Sequence, residues 1–554
     1  MKPASEKRST VRPPGAVGTF SLLLIAALLF GSCVWLRADR RFVGAATMTA
    51  AVRAVLAYGV VEPSPEEVFQ AAANGLTSVL DPFSAFMPPA EYGWFTEETE
   101  GEYVGIGVEI KRTEGEIVIV HVFPQSAAAD AMLRPGDRIV AIDSVPTAGV
   151  PLAAVVEKMR GPVDAPVAIT LESPGGEGRT VTLVRRSVAV TPFPVSGLSV
   201  SGVAYVRWSE FSLGSADRLA ALVEDFSIQS PIGLVIDLRG NPGGVLDEAV
   251  SAAGIFLAPN SLVCQLAGRG GADRSNYATA SAPSTYAGPL VLLLDETSAS
   301  ASEVFAAALQ EAGRAVIVGR RSFGKGWVQT IFPYDDEGGL RLSTGRYYTP
   351  GGRTLGDPHL AVQLLEAEGD RALTGAGLEP DMEVPRVEAG GWEQTLARDG
   401  IFGDFATAFG DDWPATGPED TDDLLEELRR WCDSLAIEPD GPALTLLDGW
   451  QRATRRGEHP VSADTLAVLA GLLTAARGED AALLFERERS RLLLRMWEQR
   501  ILAVGRPDEG ELEALFDVDP ALSAARDLLE EPERYRALVA SRQGHAAGPA
   551  VSGG

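Results

Sequence analysis

Two apolar runs, LVIDL (234–238) and LVLLLD (290–295), restrict the fold more than any other feature of the chain. Neither alternates hydrophobic with polar residues, so neither suits a strand with one face in water. Amphipathic helical patterns follow them, VLDEAVSAAGIFLAP and SEVFAAALQEAG, while GVAYVRW, SADRLAALVEDF and RAVIVG extend the alternation. Strand and helix repeating in this way predict a parallel sheet buried on both faces, hence an α/β core.

Ligands of such sheets bind beyond the carboxyl ends of the strands. The first unusual end is Asp237-Leu-Arg-Gly-Asn-Pro-Gly-Gly244. Its glycines permit positive φ and bare the backbone N–H groups that an oxyanion hole requires, although a tight strand-to-helix turn accounts for them equally well. The second is Thr297–Phe305, TSASASEVF, with serines at 298, 300 and 302. Ser300-Ala-Ser-Glu303 fits a capping box, a motif that contributes about 1 kcal/mol with no function implied. A helix N-terminus also favours a developing anion, so cap and nucleophile are compatible. Position alone does not choose among the three serines.

A nucleophilic serine needs a base. Of four histidines, only His359 falls in the sheet region, in a GDPHL loop with no supporting pattern. After Lys158 the sole lysine is Lys325, held between two glycines in RSFGKGWVQ (321–329). Lysine can be tuned to a neutral amine by burial or a nearby cation, and arginine cannot. The same stretch imitates a phosphate-binding loop, Gly319…Gly324-Lys325, but residue 326 is glycine and strand-like sequence follows. A nucleotide site is rejected on both counts.

The rest of the chain divides by pattern. Residues 101–186 show period-two strands (EYVGIGVEI, EIVIVHVF, DRIVAID, VAITLE, RTVTLVRR) around a short helix, SAAADAMLRPGD. Residues 38–97 and those beyond about 390 read as helical, the latter with an interruption near Arg477-Gly478. Residues 16–36 carry no charge and are long enough to span a bilayer, with Lys2, Lys7, Arg8 and Arg12 before them. This predicts an uncleaved single-pass transmembrane helix in the cytoplasmic membrane, with the catalytic part on the periplasmic side. A net charge of −28 argues against nucleic acid as partner. Cys264 and Cys432 are read as small apolar fillers, since three cysteines make neither a disulfide framework nor a zinc site.

Taken together, VIDLRGNPGG (235–244), SASASE (298–303), FGKGWVQ (323–329), GRYYTPGGR (345–353), GLEPD (377–381) and LDPFSAFM (80–87) resemble the carboxyl-terminal processing (tail-specific) peptidases, serine proteases with a Ser-Lys dyad. YVGIG (103–107) and LRPGDRIVAID (133–143) resemble a PDZ domain. The resemblance implies a crotonase-like (ClpP-like) parallel-sheet core with an inserted PDZ domain and a helical C-terminal extension. The divisions are 1–37 anchor, 38–97 helical, 98–190 PDZ, 191–388 protease core and 389–554 extension.

By the same resemblance Ser300 is the nucleophile, Lys325 the general base and Gln329 its orienter. Gly243, Gly244 and Ala301 are the oxyanion donors. Val104, Gly105, Ile106 and Gly107 form the PDZ carboxylate loop, and Arg160 links that domain to the active site. The family acts on protein substrates with accessible C-termini and uses no metal or cofactor. The extension is expected to serve self-association or adaptor binding. Asp295-Glu296, Glu311, Ser322 and Trp327 depart from the commoner residues at their positions. A catalytically inactive PDZ scaffold is the competing reading, against which the intact Ser300, Lys325 and Gln329 speak.

Overall fold

The computed structural model describes residues 40–546 apart from 357–376, 440–462 and several shorter stretches. Two compact units meet at Phe86–Met87. In the first, α1 (Arg40–Tyr58) precedes α2 (Pro65–Thr77). A capping box starts α2, with Ser64 N–H on Glu67 Oε2 (2.7 Å) and Glu67 N–H on Ser64 Oγ (3.1 Å). Asp81 then closes an Asx turn by accepting the N–H groups of Phe83 and Ser84, both at 2.9 Å.

The second unit opens with α3 (Pro89–Glu100), which leads through β1 (Glu102–Gly105) into a six-strand antiparallel sheet, one strand of which is only Val145–Pro146. That sheet orders β2 (Val108–Thr113), β3 (Glu116–Val122), β4 (Arg138–Ile142), β5 (Pro166–Glu172) and β6 (Gly178–Val184), with α4 (Leu152–Met159) packed on it. Alternate residues such as Ile117, Ile119, Ile139, Val167, Ile169 and Leu171 turn inward to a core of their own. β7 (Arg186–Ala189) returns beside β1, placing Val104 opposite Ser187.

The central sheet follows. Its strands are β8 (Val195–Leu198), β9 (Val203–Arg207), β10 (Gly233–Asp237), β13 (Leu290–Leu294), β14 (Val316–Gly319) and β17 (Met382–Glu383) in that spatial order. Every pairing from β9 onward is parallel. α5 (Ser215–Ile228), α6 (Leu246–Phe256) and α7 (Ala301–Glu311) cover one face. Between α6 and β13 the chain forms β11 (Leu262–Gly268) and β12 (Arg274–Ala278). These join β15 (Trp327–Pro333) and β16 (Gly339–Tyr348) in a second, antiparallel sheet. The strands formed by the two apolar runs are buried throughout, as expected of strands covered on two sides: β10 and β13 expose no residue.

The opposite face is covered by the C-terminal region. It comprises α8 (Gly391–Arg398), α9 (Ile401–Phe409), α10 (Thr421–Ser434), α11 (Ala463–Val504), α12 (Glu509–Val518), α13 (Pro520–Glu530) and α14 (Pro532–Ala546). Val203, Tyr205, Val235, Val291, Leu293, Val316 and Val318 share one apolar cluster with Phe405, Trp497, Phe516, Leu522 and Leu529. α11 runs unbroken for 42 residues, so the expected interruption at Arg477-Gly478 is corrected. A lone glycine costs a helix only about 1 kcal/mol, and the Glu-, Leu- and Ala-rich flanks outweigh it. Cys264 and Cys432 are buried thiols, each pushed up to about 12 by loss of hydration.

The localisation read from the sequence is also corrected. Among the described residues no helix is long and apolar enough to cross a membrane. Residues 16–36, on which the transmembrane expectation fell, lie outside the described residues. Hydropathy over a short window registers an apolar run without reporting what surrounds it, and that is all the expectation rested on.

Candidate active site

At the carboxyl ends of β10 and β13 the structure separates the three serines. Ser298 Oγ donates to Leu238 O at 2.8 Å, and Ser302 Oγ donates to Asn241 O at 3.1 Å; both serines are fully buried. Their hydroxyls fasten the start of α7 to the 238–244 loop. Ser300 lies between them, 9% exposed, and lines a cleft of about 850 Å³ together with Lys325, Gln329 and Tyr347. Its φ of 55° and ψ of −114° place a non-glycine residue in a strained region. Strain at one residue of a well-packed turn marks a side chain held for a purpose, and here the neighbouring hydroxyls do the holding.

Glu303, one turn into α7, is buried with 0% exposure. Its Oε2 accepts Ser300 N–H at 2.9 Å and Lys325 N–H at 2.8 Å. Oε1 accepts Gly324 N–H at 2.7 Å and the Ser322 hydroxyl. Ser322 Oγ in turn accepts Leu378 N–H at 2.8 Å, which brings in the GLEPD segment. Burial pushes this carboxyl up, and the four donated bonds draw it part of the way back. The sequence presented Glu303 as a cap. The structure makes it the tie between the backbone of Ser300 and that of Lys325, 25 residues apart.

Lys325 Nζ donates to Gln329 Oε1 at 3.2 Å. Burial lowers its affinity for a proton, Arg341 on β16 lowers it further, and Glu303 works in the opposite sense. The net shift is downward, toward a neutral amine. If this amine acts only when neutral, activity rises with pH through its lowered pKa. Arg341→Gln removes the repelling cation, so the rising limb of a kcat/KM–pH profile is expected to move to higher pH. An unmoved limb would show that Lys325 does not set it.

Gly243 and Gly244 take φ values of 111° and 133°. A Cβ at Gly243 would stand 2.8 Å from Ser300 Cβ and 2.9 Å from Ala301 N. Gly243→Ala is therefore expected to lower kcat about 100-fold, because Ser300 itself must move aside. Steady-state rates on a quenched peptide would check this. One sequence expectation changes here: Gly243 N–H donates to Asn241 Oδ1 at 2.9 Å, so it is already engaged. Asn241 Nδ2 donates to Trp208 O at 2.9 Å and fixes that side chain. Gly244 lines the same cleft as Ser300, and Ala301 is the first residue of α7.

Val104 and Gly105 end β1, and Ile106 is 2% exposed within the core of the smaller sheet. A Cβ at Gly107 would meet Ser126 Cβ at 2.0 Å, so the turn into β2 closes only on glycine. Arg160, just after α4, donates to Glu97 Oε2 at 2.8 Å. Its guanidinium lies 5.5 Å from the Trp94 ring centroid and 5.4 Å from that of Tyr103. Arg160 thus joins the small domain to α3, whose Phe95, Glu98 and Thr99 line the cleft holding Ser300. His359 lies outside the described residues.

Three further groups had no role assigned to them from the sequence. Tyr347 presents its phenol to Ser300 from β16; burial raises that phenol and the serine hydroxyl offsets part of the rise. Glu311 accepts Gly351 N–H (2.6 Å) and Arg353 Nε (2.9 Å), joining the end of α7 to the GRYYTPGGR loop. Arg239 pairs with Asp237 and with Asp519 of the C-terminal region. The motif residues gave a signal for Glu311 and Arg239. For Asp519 the sequence gives none, because nothing local indicates its partner.

Comparison with known proteins places these features in context. Residues 202–384 match the model for peptidase family S41, and residues 95–172 match that for the PDZ domain. The chain is 34% identical over 303 residues to a carboxy-terminal-processing protease of Bartonella bacilliformis, spanning 53% of this chain and 69% of that one. It is 33% identical to a carboxyl-terminal-processing protease of Synechocystis, over 51% of this chain and 67% of the relative. Similarity to the carboxy-terminal processing protease CtpB of Bacillus subtilis is also 33%, over 52% and 61%.

Proposed function

We propose, from the premise that this chain belongs to peptidase family S41, the carboxyl-terminal-processing serine proteases, that Ser300 and Lys325 form its Ser-Lys dyad. The observation carrying this reading is the Glu303 carboxylate that holds the backbone of both residues at one cleft. Neutral Lys325 directs one N–H to Gln329, which leaves its lone pair for the Ser300 proton. Ser300 Oγ bonds to the scissile carbonyl carbon. The oxyanion faces the N–H groups of Gly244 and Ala301 at the start of α7, where the helix dipole adds to them. Collapse breaks the C–N bond, protonated Lys325 returns its proton to the departing amine, and water then hydrolyses the acyl-enzyme.

Substrate C-termini are read by the PDZ domain. Among the described residues β2 pairs with β3 on one side only, which leaves its other edge for an added strand whose carboxylate reaches Val104–Gly107. The Arg160–Glu97 pair connects this event to the cleft. The parallel β9-β10-β13-β14 sheet supports a crotonase-like core, and the divisions 38–97, 98–190, 191–388 and 389–554 are kept as the domain plan.

A fluorophosphonate that reacts with activated serines tests the dyad in the full chain. Mass spectrometry is expected to find the adduct on Ser300 in the parent and in His359→Ala, and none in Lys325→Ala. Labelling of Lys325→Ala at the parental rate would overturn the proposal.

A further inference from the structure

We propose that the C-terminal helices act on catalysis through one ion pair: Asp519 is a positioning residue that holds the 238–244 loop by way of Arg239. This rests on the dyad reading above, because that loop is taken as the oxyanion side of the site.

Asp237 ends β10 with 1% exposure, and the guanidinium of Arg239 folds back onto it. Arg239 Nε reaches Asp237 Oδ1 at 2.9 Å, Nη2 reaches Oδ2 at 2.7 Å, and the Arg239 N–H reaches Oδ1 at 3.0 Å. Tyr205 adds its hydroxyl to Oδ2 at 2.9 Å. Nη2 also stands 2.8 Å from Asp519 Oδ2, as an ion pair rather than an aligned hydrogen bond. One guanidinium is therefore shared by a carboxylate of the catalytic sheet and a carboxylate of the C-terminal region.

Asp519 is itself fixed. It sits between α12 and α13, and its Oδ1 caps α13 by accepting the N–H groups of Ala521 (2.8 Å) and Leu522 (3.3 Å). Ala521, Leu522, Ala525, Leu528 and Leu529 of α13 are buried in the cluster that covers the sheet. Two residues beyond Arg239, Asn241 O accepts Ala299 N–H (3.1 Å) and the Ser302 hydroxyl, while its side chain takes Gly243 N–H. A shift of Arg239 therefore reaches Gly243, Gly244 and the turn carrying Ser300 through short, fully bonded steps. Asp237 pairs Arg239 from the end of β10 and also faces the charge of Arg207, so Asp519 supplies the second carboxylate beside these two arginines. Asp519 also adds attachment to the helices, all of which lie beyond residues 202–384.

Asp519→Asn separates the ion pair from the cap, because asparagine caps a helix as well as aspartate but carries no charge. In the full chain, assayed well below the variant's own thermal midpoint because loss of a buried partner also costs stability, its kcat on a quenched peptide with a free C-terminus and its rate of fluorophosphonate labelling at Ser300 are expected to fall about tenfold, with KM within about twofold. Asp519→Ser, another capping residue, should behave alike and guards against misfolding of the first variant. Arg239→Met should lose more, and adding Asp519→Asn to it should cost nothing further, since the two act as one unit. Parental labelling rates in Asp519→Asn and Asp519→Ser, or losses that multiply in the double variant, would overturn the coupling. A parent that is not labelled at Ser300 would instead strike the dyad reading.

Discussion

Ser300→Ala and Lys325→Ala are each expected to reduce proteolysis by about 10⁴-fold or more while C-terminal peptide binding stays at the parental affinity. The two losses should not multiply in the double variant, because nucleophile and base serve one proton transfer. Lys325→Arg should fare no better than alanine, since a guanidinium does not give up its proton near neutrality. Peptide binding, followed by fluorescence anisotropy, is proposed to take place at the β2 edge and the Val104–Gly107 turn, which neither substitution touches. Loss of binding in these variants would mean that the small domain and the cleft are not separable in the way proposed. Undiminished cleavage by either variant would remove the dyad.

Glu303 carries the second large expectation. Alanine there leaves buried donors from Ser300, Gly324, Lys325 and Ser322 without their acceptor, at about 1–3 kcal/mol each. The thermal midpoint should drop and kcat should fall by roughly 10³-fold, because the same carboxylate sets where nucleophile and base stand. Glu303→Gln keeps the volume but has only one acceptor oxygen, and its amide group meets N–H groups head on. Its residual activity is informative through sign. Glu303 raises the proton affinity of Lys325, so removing the charge lowers it, and the rising limb of the pH profile should move to lower pH. Arg341→Gln is expected to move the limb the opposite way. Two displacements in the same direction would show that the limb does not report on Lys325.

What the sequence made legible here follows the range of each interaction. Continuous apolar runs such as LVLLLD declare a strand covered twice, because no half-wet strand tolerates them. A lysine between glycines stands out in a chain that otherwise uses arginine. Choosing among Ser298, Ser300 and Ser302 was beyond the sequence, since it depends on which hydroxyls find the carbonyls of Leu238 and Asn241 across the fold. The same reason hid the engagement of Gly243 N–H, where Asn241 competes for a donor that turn chemistry alone leaves open. An amphipathic stripe on α13 or α11 says that something is covered, and it does not say what. The expectation that these helices serve partners arose from that silence; the structure adds that they pack on the sheet. Residues 16–36 show the limit of hydropathy, which ranks a segment without testing it against its surroundings.

The valine-rich underside of the catalytic sheet has a practical consequence. The matched protease segment ends at residue 384, yet Val235, Val291, Leu293, Val316 and Val318 are roofed by residues from 392 to 535. Cutting the gene at the end of the recognisable segment would therefore strip the cover from this face and leave a sticky, one-sided slab. Any minimal enzyme made from this chain must keep its tail, and sequence drift in that tail is constrained by the strands it shelters as much as by any molecule it meets.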